Sequence, residues 1–305
     1  MTWLTPLDIG LVMGFLFSWA VLGFGLAFRL FGFPDLTVEG SLPLGAGVYA
    51  VLITQGMPMA IALIVACAAG ALAGALTAFL HVRFSVNKLL AGVIVLAICY
   101  SLTLRIMHGS NIGLLQAPSL FNLHWVEELN QEFGGLFELG TLTLLGGCAG
   151  FSVIFAKWFL STHLGIRMRA VGSNADFARS LGFHTSVYVI TALGLTNALA
   201  ALAGVFLAMR EGFADIGMGQ GVLILALAAL TIGERLFPQR RLSLPLFVVV
   251  ASVVGSLVYQ ILIAVAVRMG LAPTDLKLAT AVLVLLVVAF GVTKDGELSA
   301  PEGLQ

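Results

Sequence analysis

Residues 57–80 read MPMAIALIVACAAGALAGALTAFL and contain no charged side chain. At about 1.5 Å of rise per residue, a helix over this stretch is long enough to cross the roughly 30 Å hydrocarbon core of a bilayer. The small residues Gly70, Gly74 and Ala78 recur every fourth position. They fall on one helical face, where they let a second helix approach closely. Runs of the same kind occur near 8–31, 88–107, 139–160, 185–209, 244–267 and 276–292. The whole chain explains why. Of its 305 residues, 60% are hydrophobic and 10% charged, whereas soluble domains are about 45–50% apolar and about 25% charged. The expected fold is an all-α, polytopic transmembrane helical bundle, with residues 1–305 as a single domain of about eight to nine membrane segments.

Two further apolar runs, 41–55 and 217–233, are short and glycine-rich. Segments of that length are expected to be broken or re-entrant, covered by protein or by a water-filled cavity. Counting all nine as crossings puts the termini on opposite sides. With the N-terminus outside, the inner side receives eleven basic residues: Arg29, Arg83, Lys88, Lys157, Arg167, Arg169, Arg179, Arg235, Arg240, Arg241 and Lys294. The outer side receives four, Arg105, Arg210, Arg268 and Lys277. The positive-inside rule therefore favours N-out, C-in, with the acidic loop 127–138 outside. The start, MTWLTPLDIG, lacks the basic residues of a cleaved signal, so the first apolar run is expected to stay as a span. Basic and acidic residues balance at 15 each, which gives no field to attract nucleic acid.

Gly32-Phe33-Pro34-Asp35-Leu36 and Gly212-Phe213-Ala214-Asp215-Ile216 share the pattern Gly-Phe-x-Asp-aliphatic. An arginine, Arg29 or Arg210, precedes each, and a short glycine-rich segment follows each. In this topology one copy enters the membrane from inside and the other from outside. That is the pattern of an inverted repeat, with halves near 32–107 and 212–292 and a pathway between them. Asp35 and Asp215 are read either as helix caps or as sites for a solute or coupling ion. Other polar groups at span starts or within spans are pathway candidates: Ser41, Asn87, Tyr100, Ser101, Thr103 and Asn197. The alternative for each is a hydrogen bond to a neighbouring helix.

The most polar inner stretch, 161–184, reads STHLGIRMRAVGSNADFARSLGFH. Ser173 and Asp176 have capping-box spacing, Phe177 and Leu181 share a face, Arg179 falls in the last turn, and Gly182 can end a helix. This predicts a two- to three-turn amphipathic helix outside the bilayer. Too short to be stable alone, it needs a surface: a groove on a cytoplasmic protein, or the headgroup layer with Arg167 and Arg169 on anionic lipid.

The run Gly165-Ile166-Arg167-Met168-Arg169-Ala170-Val171-Gly172-Ser173-Asn174, with Ala178 and Gly182, resembles the cytoplasmic coupling loop of ABC importer permeases. The family in question serves branched-chain amino acids, ribose and related solutes. Asp35-Leu36-Thr37-Val38-Glu39-Gly40-Ser41 is similar to that family's Asp-Leu-Ser-Val-Gly segment, with Glu39 where glycine is usual. The likeness is closest to the tryptophan/tyrosine permease subgroup. It implies a bacterial inner-membrane assembly. Two permease copies would form the pathway, and two ATPase subunits, holding ATP and Mg, would dock on the coupling helices. A periplasmic or lipoprotein solute-binding protein would deliver a small solute of the amino-acid class, aromatic in the subgroup's case. The resemblance assigns ATPase coupling to Arg167, Arg169, Gly172, Ser173, Asn174, Asp176, Ala178, Arg179 and Gly182. The chain has no GxxxxGK[ST] phosphate loop of its own.

The main rival is an ion-coupled secondary transporter using Asp35, Asp215 or Arg105, although Arg105 lies near a span end and can snorkel. An intramembrane enzyme has little to work with. There is no GxSG, no GxGD around either aspartate, and no HExxH among His81, His108, His124, His163 and His184. Cys67, Cys99 and Cys148 lie far apart in apolar runs and read as buried hydrophobes. No metal or cofactor is expected in this chain. The topology makes a direct prediction: in a cysteine-free background, cysteines at Ser173 and Gln239 should resist an impermeant thiol reagent added to intact cells. Ready labelling would reverse the orientation.

Overall fold

The computed structural model describes residues 4–132, 138–237 and 242–270, together with Leu278, Ala281, Val282 and Leu285. It is a polytopic helical membrane bundle. In chain order come α1 (Leu4–Gly25, continued by a π-helical turn Leu26–Leu30), α2 (Val38–Thr54), α3 (Met59–Phe84), α4 (Lys88–Met107), β1 (Asn111–Gly113) and α5 (His124–Glu132). They are followed by α6 (Leu139–Ser161), α7 (His163–Ser173), α8 (Ala175–Ser180), α9 (Thr185–Glu211), β2 (Phe213–Asp215), α10 (Val222–Leu236) and α11 (Leu244–Arg268). Among the described residues, seven helical stretches are long and apolar enough to cross a membrane, and α2 is a shorter apolar helix. The expected span 276–292 lies outside the described residues apart from the four just named.

Helices α1 and α9 form the centre. α3 packs along α9, α11 packs along α1, and these are the two most extensive pairings in the bundle. Lipid tails are as apolar as leucine, so close backbone approach, not hydrophobicity, brings such helices together. At Gly74 of α3, an added Cβ would collide with the Leu193 carbonyl of α9. At Gly14 of α1, it would lie 2.7 Å from Leu257 Cα of α11. The outward faces of α3 and α6 are apolar and exposed, as at Leu72, Phe151 and Ile154. A bilayer supplies the matching solvent.

The two short apolar runs form the continuous helices α2 and α10, and with the 3-10 turn before it α10 makes a 21-residue stretch long enough to cross. α2 has 17 residues and α10 has 15, about 25 and 22 Å of helix against a roughly 30 Å core. Gly40, in the first turn of α2, packs on Leu96, which lies about 12 Å along α4 from Lys88. α2 therefore begins inside the bundle. Non-helical chain, residues 32–37, leads to it. α10 is reached through β2 and a 3-10 turn, Ile216–Gly219. β2 pairs antiparallel with β1, Asn111 opposite Asp215. The Gly-Phe-x-Asp segments share local geometry. Gly32 and Gly212 both have positive φ, +62° and +74°. Each aspartate accepts from the backbone N–H two residues on, Thr37 N at 2.9 Å and Gly217 N at 2.7 Å.

Replacing Gly74 with leucine should cost about 1–3 kcal/mol or more by overpacking, with loss of monodisperse protein in detergent and a lower unfolding temperature. Leu76→Phe, on the exposed side of α3, is the control. Equal melting of the two variants would mean that the α3–α9 contact is looser than described.

Candidate functional site

A buried polar node lies where α2 begins. Asp35, Thr37, Ser41, Thr77 and Asn197 are all 0% exposed. Asn197 Nδ2 donates to Asp35 Oδ2 at 2.5 Å and to the Leu193 carbonyl at 2.9 Å. Its Oδ1 accepts from Ser41 Oγ at 2.6 Å, and the Thr37 and Thr77 hydroxyls share a 2.6 Å hydrogen bond. The Asp35 carboxyl is held from two sides, by Thr37 N and by the Asn197 amide. The structure thus joins three of the sequence-predicted residues, Asp35, Ser41 and Asn197, in one place closed to solvent.

The remaining pathway candidates are scattered. Asn87 caps α4, its side chain accepting from Leu89 N at 2.9 Å. Thr103 is buried and donates to the Cys99 carbonyl at 2.8 Å. Tyr100 and Ser101 are exposed on α4, Tyr100 by 50%. Asp215 is half-buried beside the β1–β2 pair.

Sequence reasoning passed over Glu39. Its carboxylate Oε1 accepts from Gly221 N and Leu223 N, each at 3.2 Å. Glu39, in the first turn of α2, therefore covers free N–H groups at the start of α10. An anion there also suits both helix dipoles. The Glu39 carbonyl sits against Gly219 so closely that a Cβ on Gly219 could not fit. The one available signal was the departure from glycine at this position in the family segment. At the opposite end of α10, Arg29 Nε and Nη2 donate to the two carboxylate oxygens of Glu234 at 2.7 and 2.6 Å. This pair has no sequence signature.

The polar stretch forms two helices, not one. Thr162 Oγ1 accepts from Gly165 N at 3.3 Å and starts α7. Asn174, extended at φ −156°, ends α7 and starts α8, accepting from Phe177 N at 2.9 Å. The expected capping box from Ser173 is corrected by one residue, because the Ser173 hydroxyl donates back to the Ala170 carbonyl at 3.0 Å. Asp176 is likewise not the cap. It lies in the first turn of α8, paired with Arg179 at 3.1 Å, and both are exposed. Gly182, at φ +81°, ends the helix as expected. Gly182 N reaches the Arg179 carbonyl and Phe183 N reaches the Ala178 carbonyl, a Schellman closure. Ala178 faces inward, while Phe177, Arg179 and Leu181 face out. Arg167 lies over the Phe183 ring at 5.6 Å, and Arg169 Nη2 donates to the Leu160 carbonyl at 3.2 Å. Gly172 presses on the end of α1, where a Cβ would lie 2.6 Å from Phe31 Cα.

Among the described residues, no three His, Cys, Asp or Glu side chains gather as a metal site. The family described as branched-chain amino acid transport system, permease component, matches residues 7–289. The chain belongs to that permease family. A tyrosine transport system permease protein of Clostridioides difficile (strain R20291) is 34% identical over 270 residues, 88% of this chain and 86% of that one. An uncharacterized protein of Rickettsia prowazekii (strain Madrid E) is 32% identical over 267 residues, covering 87% and 90%. The autoinducer 2 import system permease of Escherichia coli (strain K12 / DH10B) is 32% identical over 197 residues, 61% of this chain and 53% of that one. No solved structure gives a significant match. This permease is thus an integral membrane component of an ABC-type transport system, in a family of transport components that are not themselves enzymes. Membership implies an ATPase partner and a substrate-binding protein.

Asn197→Ala would strip Asp35 and Ser41 of their shared partner. It should destabilise the permease by about 1–3 kcal/mol, the usual cost of stranding buried polar groups. Thermal unfolding in detergent is the measurement, with Asn87→Ala, at an exposed cap, losing less. If Asn197→Ala melts with the wild type, the node contributes nothing to the fold.

Proposed function

We propose that this permease is the membrane-spanning subunit of an ATP-driven importer for a small solute of the amino-acid class, with aromatic amino acids first among candidates. The observation that carries the reading is the α7–α8 unit. It lies between two spans, rests on the bundle through Gly172, and turns Phe177, Arg179 and Leu181 outward. Such a face suits an ATPase subunit, which would bind ATP and Mg itself. In this reading Arg167 and Arg169 hold α7 against α9 and α6. Gly172 and Ala178 set the two helices on the bundle, and Ser173, Asn174 and Gly182 shape the bends. Asp176 and Arg179 exchange their mutual pairing for contacts on the ATPase. The name of the Clostridioides relative supports tyrosine as the first solute to try.

The assembly we propose is a C2 homodimer in the bacterial inner membrane, N-terminus outside, C-terminus cytoplasmic and lipid around it. The solute-binding protein approaches from outside. Residues 32–107 and 212–292 would be inverted halves. The matching Gly-Phe-x-Asp geometry and the reciprocal pairings of α1 with α11 and α9 with α3 support that relation. Solute would pass between the copies, within reach of Tyr100 and near Asn87, Thr103 and Asp215. Asp35, Ser41 and Asn197 would shape the wall from behind. A secondary transporter would need a carboxylate that exchanges with water; Asp35 is sealed among its hydrogen bonds, while half-buried Asp215 holds Gly217 N in its own turn.

Vesicles holding permease, ATPase and binding protein should take up tyrosine only with ATP. Arg179→Glu should weaken ATPase binding roughly ten- to hundredfold, the scale of one charge-assisted contact at about 1.5–3 kcal/mol. Gly182→Pro should uncouple uptake. Uptake that ignores ATP and follows an ion gradient would replace this reading with the secondary transporter.

A further inference from the structure

Residues 29–39 touch the coupling loop on one side and both ends of α10 on the other. Gly172 of α7 lies directly on the Leu30 carbonyl and Phe31 Cα, and a Cβ on Gly32 would lie 2.8 Å from the Gly172 carbonyl. Backbone meets backbone, with no flexible side chain between to absorb a displacement. The segment is stiff. Phe33 N donates to the Ala27 carbonyl at 2.9 Å, Lys88 Nζ to the Gly32 carbonyl at 2.8 Å, and Asp35 is fixed by Asn197. At one end Arg29 grips Glu234, in the last turn of α10, with two parallel hydrogen bonds of 2.7 and 2.6 Å. Such forked pairing fixes direction as well as distance. At the other end Glu39 Oε1 holds Gly221 N and Leu223 N, each at 3.2 Å. Gly221 has φ +83°, and nothing lies within 4 Å of where a Cβ would stand, so no side chain crowds the start of α10.

We infer that residues 29–39 are the transmission segment that carries movement of the coupling loop to α10, with Arg29 and Glu39 as its two positioning residues. The inference rests on the ATP-driven reading above and adds which helix receives the stroke. Each contact is specific to that role. Glu39 is partly buried and its paired donors lie at the start of α10, while Arg29, three residues before Gly32, directs its fork to the last turn of α10. Packed elements with two discrete arrangements carry coupling of this kind.

The test uses the complete complex of permease, ATPase and binding protein in vesicles, reading solute taken up per ATP hydrolysed. Arg29→Gln and Glu39→Ala should keep the ATPase bound and hydrolysing. Uptake per ATP should fall about tenfold, within the roughly 5–150-fold range of coupling energies. The exchange Arg29→Glu with Glu234→Arg should restore most of the loss. Glu39→Gln should hold near wild type, because its carbonyl oxygen still accepts from both N–H groups. Spin labels at Thr54 and Ile224 should change separation on adding ATP to the wild type, and less in Glu39→Ala. Unchanged uptake per ATP in Arg29→Gln and Glu39→Ala would overturn the inference. So would loss of ATPase binding in those variants, which would place the residues in docking or folding, and so would a label separation that ignores ATP in the wild type. If the wild type shows no ATP-driven uptake, the importer reading falls first and this one with it.

Discussion

Inside a bilayer no water stands ready to satisfy a backbone N–H or carbonyl, and each one left bare costs several kcal/mol. A chain that interrupts its helices at depth must supply partners from its own side chains. This permease leaves regular α-helix at 32–37 and 212–221, and acids nearby take up backbone N–H groups there. Asp35 takes Thr37 N, Asp215 takes Gly217 N, and Glu39 takes two N–H groups of α10. The β1–β2 pair takes the strand between. In water these would be ordinary caps worth about 1 kcal/mol each. Here Glu39 also ties the first turn of α2 to the start of α10.

That constraint also explains what could be read from the chain. α4 spans Lys88–Met107 in the structure, as the apolar run indicates, because both of its ends are set locally. Asn87 caps the start, and His108, left-handed at φ 54°, turns the chain at the end. The small-residue stripe on α3 was legible for the same reason: Gly74 must be small whatever it touches. Glu39 was not. Its partners lie 182 and 184 residues away, and local pattern carries no information over that separation. The Asn174 cap was missed by a single residue. Ser173 and Asn174 are both good caps; Ser173 bonds back to Ala170 while Gly172 beside it packs on Leu30 and Phe31, and Asn174 takes the cap. That is a tertiary contact overriding a local preference.

The node around Asn197 shows the same limit from another side. A polar residue in a span reads equally well as pathway or as glue. The decision lies in burial, which depends on three segments meeting. Thr77 rises from α3, Ser41 from α2 and Asp35 from the chain before it, and all are closed over by α9. Asn197 has enough donors and acceptors to serve Asp35, Ser41 and the Leu193 carbonyl together. Leucine would fill the space and leave the carboxyl stranded.

The two Gly-Phe-x-Asp segments, alike in backbone, differ in how firmly they are held. Asp35 is fully buried, tied to Asn197, and backed by the Thr37–Thr77 bond. Asp215 is half-buried and turns its carboxylate on Gly217 N within its own turn. The chain after Asp35 enters a helix packed on α3, α4 and α9. The chain after Asp215 passes Gln220 and Gly221, both exposed, before α10 starts. One segment is anchored by side chains from other helices, while the other leans on Glu39. The carboxyl of Glu39 bridges the two, reaching from the firm segment to the Gly221 and Leu223 N–H groups at the start of α10.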